Sequence, residues 1–597
     1  MRCKNSAVKT QNKLIKAIFI LCFLSVCLAL APPGQAPAQS SSGLAAFMPT
    51  GSLLFVESPD FATLIHDWND SQEKRKWLES DNYQVFSRSR LFLRLQEAQR
   101  QFAVAAGAPP DMALLDSLAG GQSALAIYDI GNLEFLYITR LPSARALQNV
   151  LWTNREKFEP RKAADVTYYV RTEPEKNRLV AFASSGDYLL LATREDLMAG
   201  ALGLLSGKSQ PKLPDENWYK SAVGAAGPAG DLRLVMNLPL LVKSPHFRSY
   251  WIERNVTELK QYSAEVADIR RSPAEIREDR ALLKASPPAE AEAHAAAPGA
   301  ALGELLGMVS AQEGLYRAWR NPTAKMVLDL VQGKVLMPRA GPPVASQIAP
   351  SVALTPSQAG SESDLETRID VAPLEGTAGA LGVDALKKLV NAAPLEAVLE
   401  FHSLRHPGQP AFVEPHAAIL IRSSVDWDSQ AVRDSLRTAI RDLWTTSQIG
   451  VNWVENREGN ASYFHLDGLV PLAVTVRGPV LLLANSDETL RSLLVRAAPS
   501  PATNPPGGGQ SQNLVYAAGF HHAAERDNIV TMMRLLEMLP GQPGGVVPGQ
   551  DGHEPALFSE NLASLSESLE SLESESLFVE DRGPLLVQTA TYRLKQK

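Results

Sequence analysis

The sequence predicts an α+β protein: two tandem copies of an antiparallel-sheet module with helices on one face, joined by a helical and low-complexity linker region. Two observations carry that expectation. The stretch Gly186-Asp187-Tyr188-Leu189-Leu190-Leu191-Ala192 recurs as Gly478-Pro479-Val480-Leu481-Leu482-Leu483-Ala484, at an offset of 292. Around each stretch the same order of short apolar runs and helical patterns repeats, as a duplicated module requires. All three cysteines, Cys3, Cys22 and Cys27, fall within the first 27 residues.

Those first residues read as an export leader. Arg2, Lys4, Lys9, Lys13 and Lys16 form a basic start, and the apolar run AIFILCFLSVCLALA follows. Ala36-Pro37-Ala38 then offers the small-x-small pattern that signal peptidase reads. Cleavage after Ala38 makes residues 1–38 a signal peptide, leaving a chain with no thiol and so no cysteine nucleophile, cysteine metal site or disulfide. The apolar run is about 15 residues against the ~20 that span a bilayer, so a cleaved leader is favoured; uncleaved, it would be an N-terminal membrane anchor. No later run is long and apolar enough to span. The net charge is −7, and losing the leader's five positive charges takes it to −12. That excess argues against nucleic acid and against an anionic membrane surface as partners.

The first copy begins after GSLLFVESPDFATLIHDWNDSQ, a strand, turn and helix, and YQVFSRSRLFLRLQEAQRQFAVAAG, a helix. SALAIYDIG and LEFLYITRL flank Gly131-Asn132 as a hairpin. PSARALQNVLWTNREKF has helical spacing, VTYYVRT, RLVAFASS and DYLLLAT read as strands, and REDLMAGALGLLSG closes as a helix at Gly207. In the second copy EAVLEFHS and HAAILIRS are strands, and WDSQAVRDSLRTAIRDLWTTS is a helix with Val432, Leu436, Ile440 and Leu443 in register. Two strands surround Gly459-Asn460, LAVTVRG and VLLLANS give two more, and DETLRSLLVRAA is a helix. Each copy continues with a strand and a helix, DLRLVMNLPLLVKSPHFRSYWIERN in one and NLVYAAGFHHAAERDNIVTMMRLLEML in the other.

These readings divide the chain into the leader, an N-terminal α+β module over 39–250, a linker region over 251–365, a second module over 366–540 and a tail over 541–597. In the linker, RNVTELKQYSAEVADIRRSPAEIREDRALLKA carries many charges and reads as a solvated helical hairpin broken at Pro273. ASPPAEAEAHAAAPGA and MPRAGPPVASQIAPSVALTPSQAGSESD read as low-complexity bridges. In the tail, Leu562, Leu565, Leu569 and Leu572 lie at amphipathic helical spacing, and a hairpin turns around Arg582-Gly583-Pro584.

No catalytic or cofactor-binding motif survives its structural context. Gly207-Lys208-Ser209 matches only the tail of a phosphate loop and follows a helix, which makes Gly207 a helix C-cap. Gly121-Gln122-Ser123 has Leu125 where a nucleophile elbow needs glycine. His402 and His406 share a helical spacing but fall in an expected loop. The nearest approach to a metal constellation is His521, His522 and Glu525 at a strand-to-helix junction, against which stands an ordinary exposed loop with an acid at a helix start. Trp152, Trp251, Trp427, Trp444 and Trp453 suit a sugar or peptide groove, but each falls in an element where core packing is the default. Asn460-Ala461-Ser462 marks a turn.

MPTGSLLFVESPDFATLIHDWNDS, LAGGQSALAIYDIGNLEFLYITRL and the ending NLASLSESLESL…TATYRL resemble a bacterial family of exported proteins of unknown function, with a leader and a repeated strand-rich module. The resemblance implies an envelope location and carries over no catalytic residue, cofactor or substrate. The expectation is an extracytoplasmic, non-enzymatic binding or scaffold protein without a cofactor, whose partner is an envelope protein, a peptide or a lipid. The alternatives are an envelope hydrolase with a site assembled from distant residues, and a lipid- or lipoprotein-handling protein.

Overall fold

Tyr188–Ala192 and Val480–Ala484 are apolar at nearly every position, a pattern a strand needs when both of its faces are covered. The computed structural model bears this out. It describes residues 43–79, 83, 87–88, 90–107, 116–173, 178–245, 259–286, 300–309, 314–336, 384–405, 414–441, 452–459, 461–466, 472–496, 512–528 and 571–595. The described residues divide into two compact units, the first over residues 43–286 with 584–587, the second over the rest.

The strands of the first unit are β1 (Leu54–Ser58), β2 (Ser123–Asp129), β3 (Glu134–Arg140), β4 (Glu159–Ala163), β5 (Val166–Glu173), β6 (Arg178–Ser185), β7 (Tyr188–Ala192), β8 (Leu232–Met236), β9 (Tyr262–Arg271) and β10 (Glu275–Lys284). They pair antiparallel in the order β10-β9-β8-β1-β2-β3-β7-β6-β5-β4. The second unit has β11 (Leu315–Arg320), β12 (Leu395–Arg405), β13 (Glu414–Ser423), β14 (Trp453–Glu458), β15 (Ala461–Leu466), β16 (Leu472–Arg477), β17 (Val480–Ala484), β18 (Leu514–Phe520), β19 (Leu572–Asp581) and β20 (Leu585–Leu594). Their order is β20-β19-β18-β11-β12-β13-β17-β16-β15-β14. Adding ten to each strand number of the first order gives the second.

Helices cover both faces of each sheet, not one as expected. In β6 and β7, Ala181, Ala183, Leu190 and Ala192 join a core with the helices Glu195–Leu205 and Asn217–Ala225. The alternate residues Val180, Phe182, Leu189 and Leu191 join a second core with Ala105 and Ala106 of the helix Arg90–Ala106 and Leu151 of the helix Val150–Thr153. In the second unit Leu482 and Ala484 face the helices Ala300–Leu306 and Asp487–Arg496. Leu481 and Leu483 face the helices Ala324–Leu330, Asp384–Ala392 and Ser429–Arg441.

The region read as a helical hairpin is a β-hairpin. β9 and β10 pair from Tyr262–Lys284 to Arg271–Ile276, and Pro273 lies in the turn, where Ser272 and Glu275 exchange backbone hydrogen bonds. The charges that suggested a solvated helix are spent within the sheet. Arg233 on β8 grips Asp268 on β9 with two nitrogens, each 2.8 Å from a carboxylate oxygen, and both side chains are nearly fully buried. Arg270 on β9 pairs with Asp279 on β10, and Arg280 pairs with Glu278 along β10 itself. The linker region also contributes the helices Ala300–Leu306 and Ala324–Leu330 and the inner strand β11. In the tail, Leu562, Leu565 and Leu569 lie outside the described residues, Leu572 opens β19, and β19 and β20 flank Arg582-Gly583-Pro584.

Equivalent bonds recur at equivalent places. Phe135 N–H donates to Thr193 Oγ1 and Thr193 N–H donates to the Phe135 carbonyl, at 2.8 and 3.1 Å. Ala417 N–H donates to Asn485 Oδ1 and Asn485 N–H to the Ala417 carbonyl, at 2.8 and 3.0 Å. Gly186 and Gly478 make the turns into β7 and β17 with positive φ, 57° and 55°. The two end strands differ. β4 carries Pro160, which has no N–H to offer a further strand; β14 has no proline and leaves Val454 45% exposed.

Candidate functional site

The matched bonds fix which positions correspond. Phe135 lies opposite Ile127 and Ala417 opposite His402. Leu54 lies opposite Ile127, and Leu315 opposite His402. Two residues along, Val56 faces Leu125 in the first unit, where Arg317 faces Glu400 in the second. After the eighth strand of each unit, Asn237 Oδ1 accepts from Leu240 N–H at 3.2 Å and His521 Nδ1 accepts from Ala524 N–H at 3.1 Å. His522 and Glu525 therefore stand where the first unit has the buried leucines Leu238 and Leu241. Five positions that are hydrocarbon in the first unit, Val56, Leu125, Ile127, Leu238 and Leu241, are Arg317, Glu400, His402, His522 and Glu525 in the second.

Directly opposed residues share a sheet face. Glu575, Phe520, Leu315 and His402 are opposed in turn across β19, β18, β11 and β12, so they form one row. A histidine–glutamate pair stands at each end. At one end His402 Nε2 bonds Glu400 Oε1, and Lys334, from the π-helical turn Val331–Leu336, lies 3.6 Å from the same oxygen. Burial pushes the Glu400 carboxyl up, but the His402 contact and the charges of His402, Lys334 and Arg317 outweigh it and hold it down at about 2. At the other end His522, 4% exposed, packs edge-on against Phe520 with 4.6 Å between ring centroids. Among the described residues its Nε2 has no hydrogen-bond partner, and it lies 3.5 Å from Glu575 Oε2.

The three sequence candidates are thus neighbours with separate duties. His521 caps a helix, and Glu525, 2% exposed, accepts from Gly314 N–H at 3.0 Å. Among the described residues no group of three or more His, Asp or Glu side chains is placed to hold a metal ion. The partners that matter, Glu575 on β19 and Glu400 on β12, are 50 residues or more from the cluster, and no local spacing could have pointed to them. His402 lies within β12 and not in a loop; His406 lies outside the described residues. Gly207 is the expected C-cap, with φ +80° and Lys208 N–H donating to the Gly203 carbonyl. Trp152 packs against Tyr169 and Phe182, and Trp427 donates Nε1–H to the Pro479 carbonyl. Trp251 and Trp444 lie outside the described residues. Among those residues no helix is long and apolar enough to cross a membrane.

No protein-family model matches the chain, and no curated protein does. Two solved structures, crystal forms III and I of TP0453, are similar over 42% of this chain and 84% and 83% of theirs. Their identities are 10% and 11% and their TM-scores 0.23 and 0.21, a likeness that carries no argument.

Proposed function

We propose that this is an exported, non-enzymatic binding or scaffold protein of the bacterial cell envelope, built from two copies of one ten-stranded module. The observation that carries the duplication is the common strand order, reinforced by the Phe135–Thr193 and Ala417–Asn485 bonds at matching places. A common framework with hydrocarbon at five positions of one unit and polar or charged side chains at the corresponding positions of the other supports two units with separate roles, which suits a protein that joins partners. The basic start, apolar run and Ala36-Pro37-Ala38 support export. The charged side chains of the second unit support binding over catalysis, because Glu400 and Glu525 are already engaged by groups of the protein itself.

Native mass spectrometry of the protein purified from its own envelope fraction tests this reading. The expected result is a chain starting at Gln39 that retains an envelope protein or a peptide. A retained lipid would replace the reading with lipid or lipoprotein handling. Turnover of peptide, ester or glycan substrates, abolished by His522→Ala or Glu525→Ala, would overturn it in favour of a hydrolase.

A further inference from the structure

Among the described residues, nothing hydrogen-bonds Nε2 of the buried His522 imidazole. Glu575 Oε2 waits 3.5 Å away on β19. A buried polar atom without a partner is costly, and packing alone does not call for one here, since the first unit fills the same place with Leu238, 1% exposed. The position of Glu575 is held in the first unit by Glu265, which faces Met236 as Glu575 faces Phe520. Burial pushes the Glu265 carboxyl up, toward its neutral form. The first unit thus sets a leucine beside a glutamate tending to neutrality, and the second sets a titratable base beside a half-exposed glutamate.

We infer that His522 and Glu575 form a pH-dependent latch, in which protonation of His522 in mild acid closes the pair and fastens the helix 522–528 to β19. The proton comes from solvent and no covalent bond changes. At neutral pH the contacts of the helix start include the His521 cap, the His521 N–H bond to the Gly314 carbonyl and the Glu525 contact to Gly314 N–H. In acid it gains a charge-assisted bond to the sheet. The charged and titratable groups around it are His521, Glu525, Arg526 and Asp527 of its own segment, Glu573 and Glu575 on β19, Arg317 on β11, and Glu400 and His402 on β12. The helix N-terminus disfavours an imidazolium, and the acids Glu525 and Glu575 oppose that effect. His402 is spoken for by Glu400.

The test is hydrogen exchange of the full chain at about pH 5.5 and about pH 7.5, corrected for intrinsic rates, with the histidine ring resonances followed over the same range. Wild-type amides over 521–528 should be protected about fivefold more in acid. His522→Leu, which copies Leu238, should abolish the difference. Glu575→Gln should lower the midpoint of the His522 ring titration even if His522→Leu disturbs folding. A His522 ring that does not titrate over this range, or a midpoint unmoved by Glu575→Gln, overturns the inference.

Discussion

Tyr463 on β15 donates its hydroxyl to Asp487 Oδ2 at 3.1 Å, just as Tyr168 on β5 donates to Glu195 Oε1 at 2.5 Å. Each acid is the first residue of the helix that follows the seventh strand of its unit, where the helix dipole favours a negative charge. In the first unit Arg161 on β4 reaches Glu195; in the second Arg491 on the helix reaches back to Glu458 on β14. Tyr168→Phe and Tyr463→Phe should each cost about 1 kcal/mol. Hydrogen exchange of the adjoining strands reads each loss in its own unit.

The turn into β11 allows no side chain. Gly314 has φ +79°, and a Cβ there would stand 2.5 Å from the His402 carbonyl oxygen and 2.6 Å from the Phe401 ring. Gly186 has φ +57° and open space around it. Gly186→Ala should therefore cost only the backbone term, about 1 kcal/mol. Gly314→Ala should cost that and the clash, roughly 3 kcal/mol or more. Exchange protection of β7 and of β11 and β12 measures the two; equal losses would contradict the geometry.

Glu400 makes the second unit sensitive to strong acid. Its folded value of about 2 lies below the ordinary carboxylate value, so the contribution is fully present above about pH 4.5 and is lost as the pH falls toward 2. The size is on the order of 3 kcal/mol. Acid titration of β12 protection should show this loss in the wild type. Glu400→Gln should start less stable at neutral pH and show a shallower decline over that interval.

Arg233 and Asp268 should be inseparable. Arg233→Met leaves Asp268 buried with its Gly230 N–H contact and no cation, a loss of roughly 3–5 kcal/mol. Arg233→Lys should recover little, because an ammonium cannot repeat the two-nitrogen grip. The double substitution Arg233→Met with Asp268→Leu should be less harmful than Arg233→Met alone. Denaturation of β8 and β9, followed by exchange, distinguishes the three.

Most strands were legible because their patterns are local. Gly131-Asn132, Gly459-Asn460 and the runs YLLLA and VLLLA carry turn chemistry or β-rich character within a few residues. The pair β9 and β10 was illegible for the opposite reason. Asp268, Arg270 and Asp279 look like the outer face of a helix until their partners on neighbouring strands are known. Coverage of both sheet faces was written in β7 and β17, whose unbroken apolar runs leave no face for water. The site was legible only in half: His522 and Glu525 stand out as a local cluster, whereas Glu400 and Glu575 reach the same sheet face through pairing of β11 with β12 and of β18 with β19.

The proline in β4 has a bearing on how the protein behaves when crowded. A strand that lacks an amide hydrogen and carries Glu159, Arg161 and Lys162 is a poor template for a stray chain. β14, which among the described residues pairs with β15 alone, has no proline, leaves Val454 exposed and carries Glu455, Arg457 and Glu458. The first unit ends in a strand that refuses company and the second in one that tolerates it. Under heat or overexpression, intermolecular sheet growth would start from β14, and solubility would be decided there.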